Sequence, residues 1–136
     1  HKDYDNMIKY YLMAIEKGND YAMFKLGVYY NEQNDYENML KYYLMAIKKG
    51  NDDAMFNLGI YYKEQQDYDN MIKYYLMAIE KGNDNAMNNL GNYYYDKKDY
   101  ENMIKYYLMA IKKDNSNAMY NLGLYYEQQC DYNNMI

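Results

Sequence analysis

Asp-Tyr recurs at residues 3–4, 35–36, 67–68, 99–100 and 131–132, and Leu-Gly at 26–27, 58–59, 90–91 and 122–123, both in steps of 32. A period shared by two independent dipeptides along the whole chain means one supersecondary unit stacked on copies of itself. Such a unit cannot bury its apolar face alone, so each copy must cover the next. That requirement excludes most folds before any single residue is considered.

Each period reads as two helices. The second, from Asp67 to Lys81, opens with Asp67 as N-cap and carries Asp69 in its first turn. Asp69 and Lys73 make an i, i+4 pair, repeated as Asp5–Lys9, Glu37–Lys41 and Glu101–Lys105. The helix closes in lysines followed by Gly82, suited to a left-handed position after the helix end. Asn83 or Asp84 then caps the first helix of the next unit, which runs to about Lys97. A strand reading of the Tyr-Tyr pairs fails, because apolar residues follow 3–4 spacing rather than alternation. In the second helix Tyr68, Met71, Ile72, Tyr75, Leu76, Ala78 and Ile79 make most of the circumference apolar, as a helix sandwiched between two neighbours requires. Gly59 and its copies sit mid-helix at a cost of about 1 kcal/mol each relative to Ala. Close backbone packing accounts for them, with Ala46, Ala78 and Ala110 as small partners.

The expected fold is all-α: a right-handed α-solenoid of stacked antiparallel helix pairs with a 32-residue period. Residues 1–136 make a single repeat domain with helix pairs at about 20–49, 52–81 and 84–113. A second helix (3–17) precedes them, and a first helix (116–129) and a partial helix (131–136) follow.

Composition then narrows the function. The net charge is −5 and all 15 basic residues are lysines, so a phosphate-backbone partner lacks both a basic stripe and the bidentate guanidinium, and nucleic acid is not expected. No apolar run approaches a membrane span. One cysteine, Cys130, excludes an internal disulfide and points to a reducing, intracellular (cytoplasmic) setting. Catalysis finds no support. The one histidine is terminal His1, and Cys130 has no histidine beside it. Neither a Gly-rich phosphate loop nor metal-ligand spacing occurs, so the reading is of no enzyme, no cofactor and no metal.

The pattern "AMFNLGIYY…DYDNMIKYYLMAI" resembles the tetratricopeptide superfamily, with Met55, Leu58, Gly59 and Tyr62, then Met71, Tyr75 and Ala78, in the motif's places. The usual proline between units is absent, and "AIEKGNDNAMNNLG" (78–91) resembles the link of the Sel1-like branch. The wording of the repeats is also similar to arrays from mimivirus-like giant viruses. The resemblance implies a non-enzymatic scaffold whose concave surface, lined by the first helix of each unit, holds peptides or partner proteins. Some members read an acidic tail with a lysine and asparagine clamp. That clamp does not carry over: Lys25, Asn57, Asn89 and Asn121 take one of its lines, but Phe24 and Val28 stand where its first lysine and asparagine belong.

Second helices are copied almost without change, whereas first helices vary along one line. Tyr21, Asp53, Asn85 and Asn117 are equivalent, as are Phe24, Phe56, Asn88 and Tyr120, then Val28, Ile60, Asn92 and Leu124, then Asn31, Lys63, Tyr95 and Glu127. Offsets of 3, 4 and 7 place residues 85, 88, 89 and 92 in a stripe about 100° wide. The expectation is that this stripe faces solvent because it does not pack. Its peptide-binding residues are then Phe24, Lys25, Phe56, Asn57, Asn85, Asn88, Asn89, Asn92, Tyr95, Tyr120 and Asn121. Asparagine amides would hold the backbone of an extended peptide, the rings would take its side chains, and Glu32, Glu64, Asp96 and Glu127 at the rim would favour a neutral or basic ligand. Met13, Met45, Met77 and Met109 form a second, convex row. The alternative is a structural array that self-associates end to end. It draws on an opening second helix without its first, a closing helix broken at Ile136, and no polar cap at either end. Cys130 falls at the turn position of Asn34, Gln66 and Lys98 and is expected to be exposed.

Overall fold

The computed structural model describes residues 3–135; His1, Lys2 and Ile136, included in the expected domain, lie outside them. The helices are α1 (Tyr4–Glu16), α2 (Asp20–Glu32), α3 (Tyr36–Lys48), α4 (Asp52–Glu64), α5 (Tyr68–Glu80), α6 (Asp84–Asp96), α7 (Tyr100–Ile111) and α8 (Ser116–Met135).

Two local devices start them. Asp3, Asp35, Asp67 and Asp99 each accept from the backbone N–H of the asparagine three residues on, whose side-chain amide donates to the other carboxylate oxygen at 2.7–2.8 Å. Each such cap stabilises its helix by about 1 kcal/mol. The first helices are capped by Asn19, Asn51, Asn83 and Asn115, which accept from Ala22, Ala54, Ala86 and Ala118. The choice between Asn83 and Asp84 thus falls to Asn83. These caps also join repeats: the Asn51 amide donates to Asp20 at 2.9 Å, and the Asn115 amide to Asp84 at 2.8 Å.

The chain leaves its second helices through left-handed residues, Gly18, Gly50 and Gly82 at φ 81–85° and Asp114 at φ 60°. It leaves the first helices α2, α4 and α6 in the same way, through Asn34, Gln66 and Lys98 at φ 59–60°. A left-handed non-glycine costs roughly 1 kcal/mol or more, a cost offset here by the packing of the helix that follows. Cys130 should be next in that series, yet α8 runs unbroken through it to Met135. The expected division into 116–129 and 131–136 is therefore replaced by one helix as far as Met135. Cys130 is exposed, on a helix and not in a turn.

Contacts group the chain into two compact units, residues 1–77 and 78–136, with the boundary inside α5, where the repeat reading treats it as one domain. A repeat touches only its neighbours, so no single core spans such a chain. In the first unit, α2 packs on α1, α3 and α4 around Met23, Met39, Tyr43, Ala46, Ala54 and Leu58. In the second, α7 packs on α6 and α8 around Met87, Met103, Tyr107, Ala110, Ala118 and Leu122. Each large side chain buried this way contributes roughly 1.5–3 kcal/mol.

The mid-helix glycines face tyrosine rings and not the alanines expected. A Cβ at Gly59 or Gly91 would lie 2.5 Å from a ring carbon of Tyr75 or Tyr107, and Gly27 abuts Tyr43 in the same way. Glycine is needed because a flat ring lies directly on the helix backbone. Gly123, in α8, has nothing within 4 Å of the same position.

Candidate functional site

The slot above each of these tyrosines is where first helices vary. In the first unit it is closed by rings. Phe24 stacks on Tyr43 with centroids 6.1 Å apart, and Phe56 stacks on Tyr75 at 5.9 Å. Beside them the Asn57 amide donates to the Tyr43 hydroxyl at 3.3 Å, while Lys25 is exposed. Burial raises the Tyr43 pKa; the Asn57 bond lowers it in part, and the Glu32 carboxylate adds to the rise.

In the second unit Asn88 and Asn92 replace the ring and its apolar neighbour, and the slot becomes a polar network. The Tyr107 hydroxyl donates to Asn92 Oδ1. Asn121 Nδ2, from α8, donates to Asn88 Oδ1 at 3.1 Å and to Asn92 Oδ1 at 3.2 Å. Asn88 is only 8% exposed, and Asn89, Asn92 and Asn121 are half-buried. The expected open line of amides is therefore corrected at Asn88, Asn92 and Asn121, which bind one another and Tyr107 instead of facing solvent. The reason is that this stripe of a first helix meets the next first helix, so the amides satisfy themselves across the repeat boundary. Asn85 and Tyr120 are exposed, Tyr120 at 69%. Tyr95 is half-buried and its hydroxyl donates to Gln128 Oε1 at 2.8 Å.

Beside the network lies a cavity of about 220 Å³ whose polar walls are Asn92, Tyr95, Asp96, Tyr107, Asn121 and Gln128. Leu124 and Tyr125 close its apolar side. Burial pushes the Tyr107 hydroxyl up to about 12, with the Asp96 carboxylate and then Tyr95 adding to it. Sequence reasoning treated Tyr107 as core and passed over Gln128. Both could have been found from the 16-residue step between each mid-helix glycine and its tyrosine, and from the 32-residue step linking Asp96 to Gln128.

On the second helices, Met45 and Met77 line an apolar groove of about 610 Å³ with Leu44, Ile47 and the lysines 41 and 48. Met13 is 53% exposed. Among the described residues no three His, Cys, Asp or Glu side chains converge as a metal ion needs, and no helix is long and apolar enough to cross a membrane.

Residues 21–49, 53–81 and 84–117 each match models of the tetratricopeptide repeat. Among solved structures, the chain is similar to a Sel1 repeat protein from Oxalobacter formigenes, with a TM-score of 0.76 and 26% identity over 85% of this chain and 52% of that one. It is also similar to c5321, a protective antigen of uropathogenic Escherichia coli strains displaying an SLR fold, with a TM-score of 0.70 and 25% identity over 83% of this chain and 27% of that one. MamA shares the fold, with a TM-score of 0.61 at 23% identity over 74% of this chain. The chain spans 27%, 52% and 61% of the lengths of c5321, the Sel1 protein and MamA. No curated protein matches it. Three matched repeats, helix pairs with a 32-residue period and these structural neighbours place the chain in the tetratricopeptide-repeat superfamily, in its Sel1-like branch, as an α-solenoid.

Proposed function

We propose that the chain is a non-enzymatic scaffold that holds a protein segment or extended peptide on the face lined by its first helices, α2, α4, α6 and α8. Repeats of this family are in general protein-interaction modules, which supports the coarse reading. The observation that carries the finer one is the confinement of change. Residues that pack, such as Leu26, Leu58, Leu90 and the tyrosines opposite the glycines, are copied, whereas Tyr21, Lys25, Asn85 and Tyr120 differ between copies and are exposed. Exposed aromatic side chains among polar ones suit the recognition of another chain. The net charge of −5 favours a neutral or basic partner.

The buried asparagines take a different part from a comb of free amides: they stiffen α6, α7 and α8 beneath that surface. Panning the immobilised chain against displayed random peptides should enrich neutral or basic sequences. Amide NMR shifts on adding an enriched peptide should then fall on Tyr21, Lys25, Asn85 and Tyr120. Shifts confined to α3, α5 and α7 would move the working face and sink this reading.

A further inference from the structure

We propose that the cavity on α6, α7 and α8 is a pocket for one cationic side chain, guanidinium or ammonium, of the held segment. The proposal rests on the scaffold reading, since that segment supplies the side chain.

The pocket lies where the first helix carries an asparagine in place of the ring. In the first unit Phe24 lies over Tyr43 and Phe56 over Tyr75. Asn88 stands in the ring's place over Tyr107 and Asn92 in that of Val28 and Ile60, and Asn92 lines the volume of about 220 Å³ beside Tyr107.

Its chemistry follows from where the protons are spent. The Tyr107 hydroxyl proton goes to Asn92, the Tyr95 proton to Gln128, and the Asn121 amide to Asn88 and Asn92. The hydroxyl oxygens of Tyr95 and Tyr107, both residues of the lining, therefore keep lone pairs with which to accept. Asp96 is the one charged residue among those lining it, and no lysine lines it. The donors left are the uncharged amide nitrogens of Asn92 and Gln128. A ligand rich in donors and positive charge satisfies the acceptors, whereas an anion finds two neutral amides set against the charge of Asp96. Tyr95, Tyr107 and Tyr125 bring aromatic rings to its lining, which suits a cation, and Leu124 offers a wall to its methylene stem. The rise in the Tyr107 pKa has Asp96 as its second cause, so the negative field of that carboxylate reaches the cavity's inner wall.

The probe is N-acetylarginine methylamide, titrated into the whole chain by NMR beside its uncharged isostere, N-acetylcitrulline methylamide. Saturable shifts of the Asn92, Asn121 and Gln128 side-chain amides are expected with arginine and not with citrulline. Asp96→Asn, a change at an exposed side chain, should weaken arginine binding about tenfold. The double variant Asn88→Phe, Asn92→Ile copies the packing of Phe56 and Ile60 and should abolish binding while the chain stays folded. Equal binding of citrulline, or an affinity unmoved by Asp96→Asn, overturns the pocket. Enriched peptides together with no arginine binding would sink the pocket and leave the scaffold. Arginine binding as described with no peptide enriched would sink the scaffold reading and leave a pocket for free cations.

Discussion

The same slot is filled in two ways. In the first unit, rings lie on rings, Phe24 on Tyr43 and Phe56 on Tyr75. In the second, amides cross-link α6 to α8 over Tyr107. The glycine, the tyrosine laid on it and the asparagine of the next first helix (Gly27, Tyr43 and Asn57; Gly91, Tyr107 and Asn121) are copied, so the contrast centres on two side chains. Stacked rings gain area burial plus about 0.5–1.5 kcal/mol from geometry, and need no partner. Amides gain about 0.5–1.5 kcal/mol per bond, but leave buried groups stranded if one member is lost. The ring solution is robust and closed. The amide solution is fragile and leaves room.

The largest effect should come from removing a ring. Tyr75 is fully buried beneath Phe56, and Tyr75→Ala should cost about 3–5 kcal/mol in urea denaturation. Adding Gly59→Ala to that variant should then be harmless, because the ring that excludes a Cβ has gone. A double variant as strained as the sum of the two singles would show that something other than Tyr75 requires the glycine.

Next comes alkaline pH, where the second unit's tyrosine is exposed as the weak point. The folded Tyr107 pKa is raised from 10.0 to about 12, by burial first and Asp96 second. Below pH 10 both folded and unfolded chains hold the proton and the contribution is intact. Between about 10 and 12 only the unfolded chain ionises, so stability falls by about 1.4 kcal/mol per pH unit, on the order of 2–3 kcal/mol in total. Tyr30, Tyr43, Tyr62 and Tyr94 are raised too, with burial the first cause, and push in the same direction. Tyr107→Phe should flatten the fall of urea midpoints over this range. An unchanged slope would mean that other tyrosines carry the alkaline transition.

Much of this was legible in the chain itself, because its signals are local. The 32-residue period, the Asp-x-x-Asn starts and the glycines after the second helices need no knowledge of neighbours. The left-handed Asn34, Gln66 and Lys98 were not legible, since any polar residue can be forced into that region when the next helix packs. The candidate site was half legible. A stripe of variation picked out the side of α6 that carries Asn88 and Asn92, but not what it met. Asn121 lies 33 residues after Asn88 and 29 after Asn92, one repeat away in either sense. Adjacent first helices therefore bring those amides together, whereas periodicity within one helix reports only that they share a side.

The network itself sets the third prediction. Asn92→Ile alone removes the acceptor of the Tyr107 hydroxyl proton, and a stranded buried donor should cost about 1–3 kcal/mol. Adding Asn88→Phe supplies the ring that the first unit uses, and Asn121 can then donate to Tyr107 as Asn57 does to Tyr43. The pair should recover to within about 1 kcal/mol of the parent, a coupling that a thermodynamic cycle measures directly. Strict additivity would mean that the two solutions are not interchangeable and that the surrounding helices differ more than their sequences do.

The smallest effect has the opposite sign. Gly27, Gly59 and Gly91 press against tyrosines, but Gly123 has nothing within 4 Å of its Cβ position. There the glycine retains its entropic cost in mid-helix without the packing that justifies it elsewhere. Gly123→Ala should therefore stabilise α8, by up to about 1 kcal/mol on helix propensity. Gly91→Ala, identical in chemistry, should destabilise, since the Tyr107 ring must move. Thermal midpoints of the two variants should straddle the parent. Destabilisation by Gly123→Ala would mean that a ring reaches this glycine as well, and that α8 is packed like the other first helices.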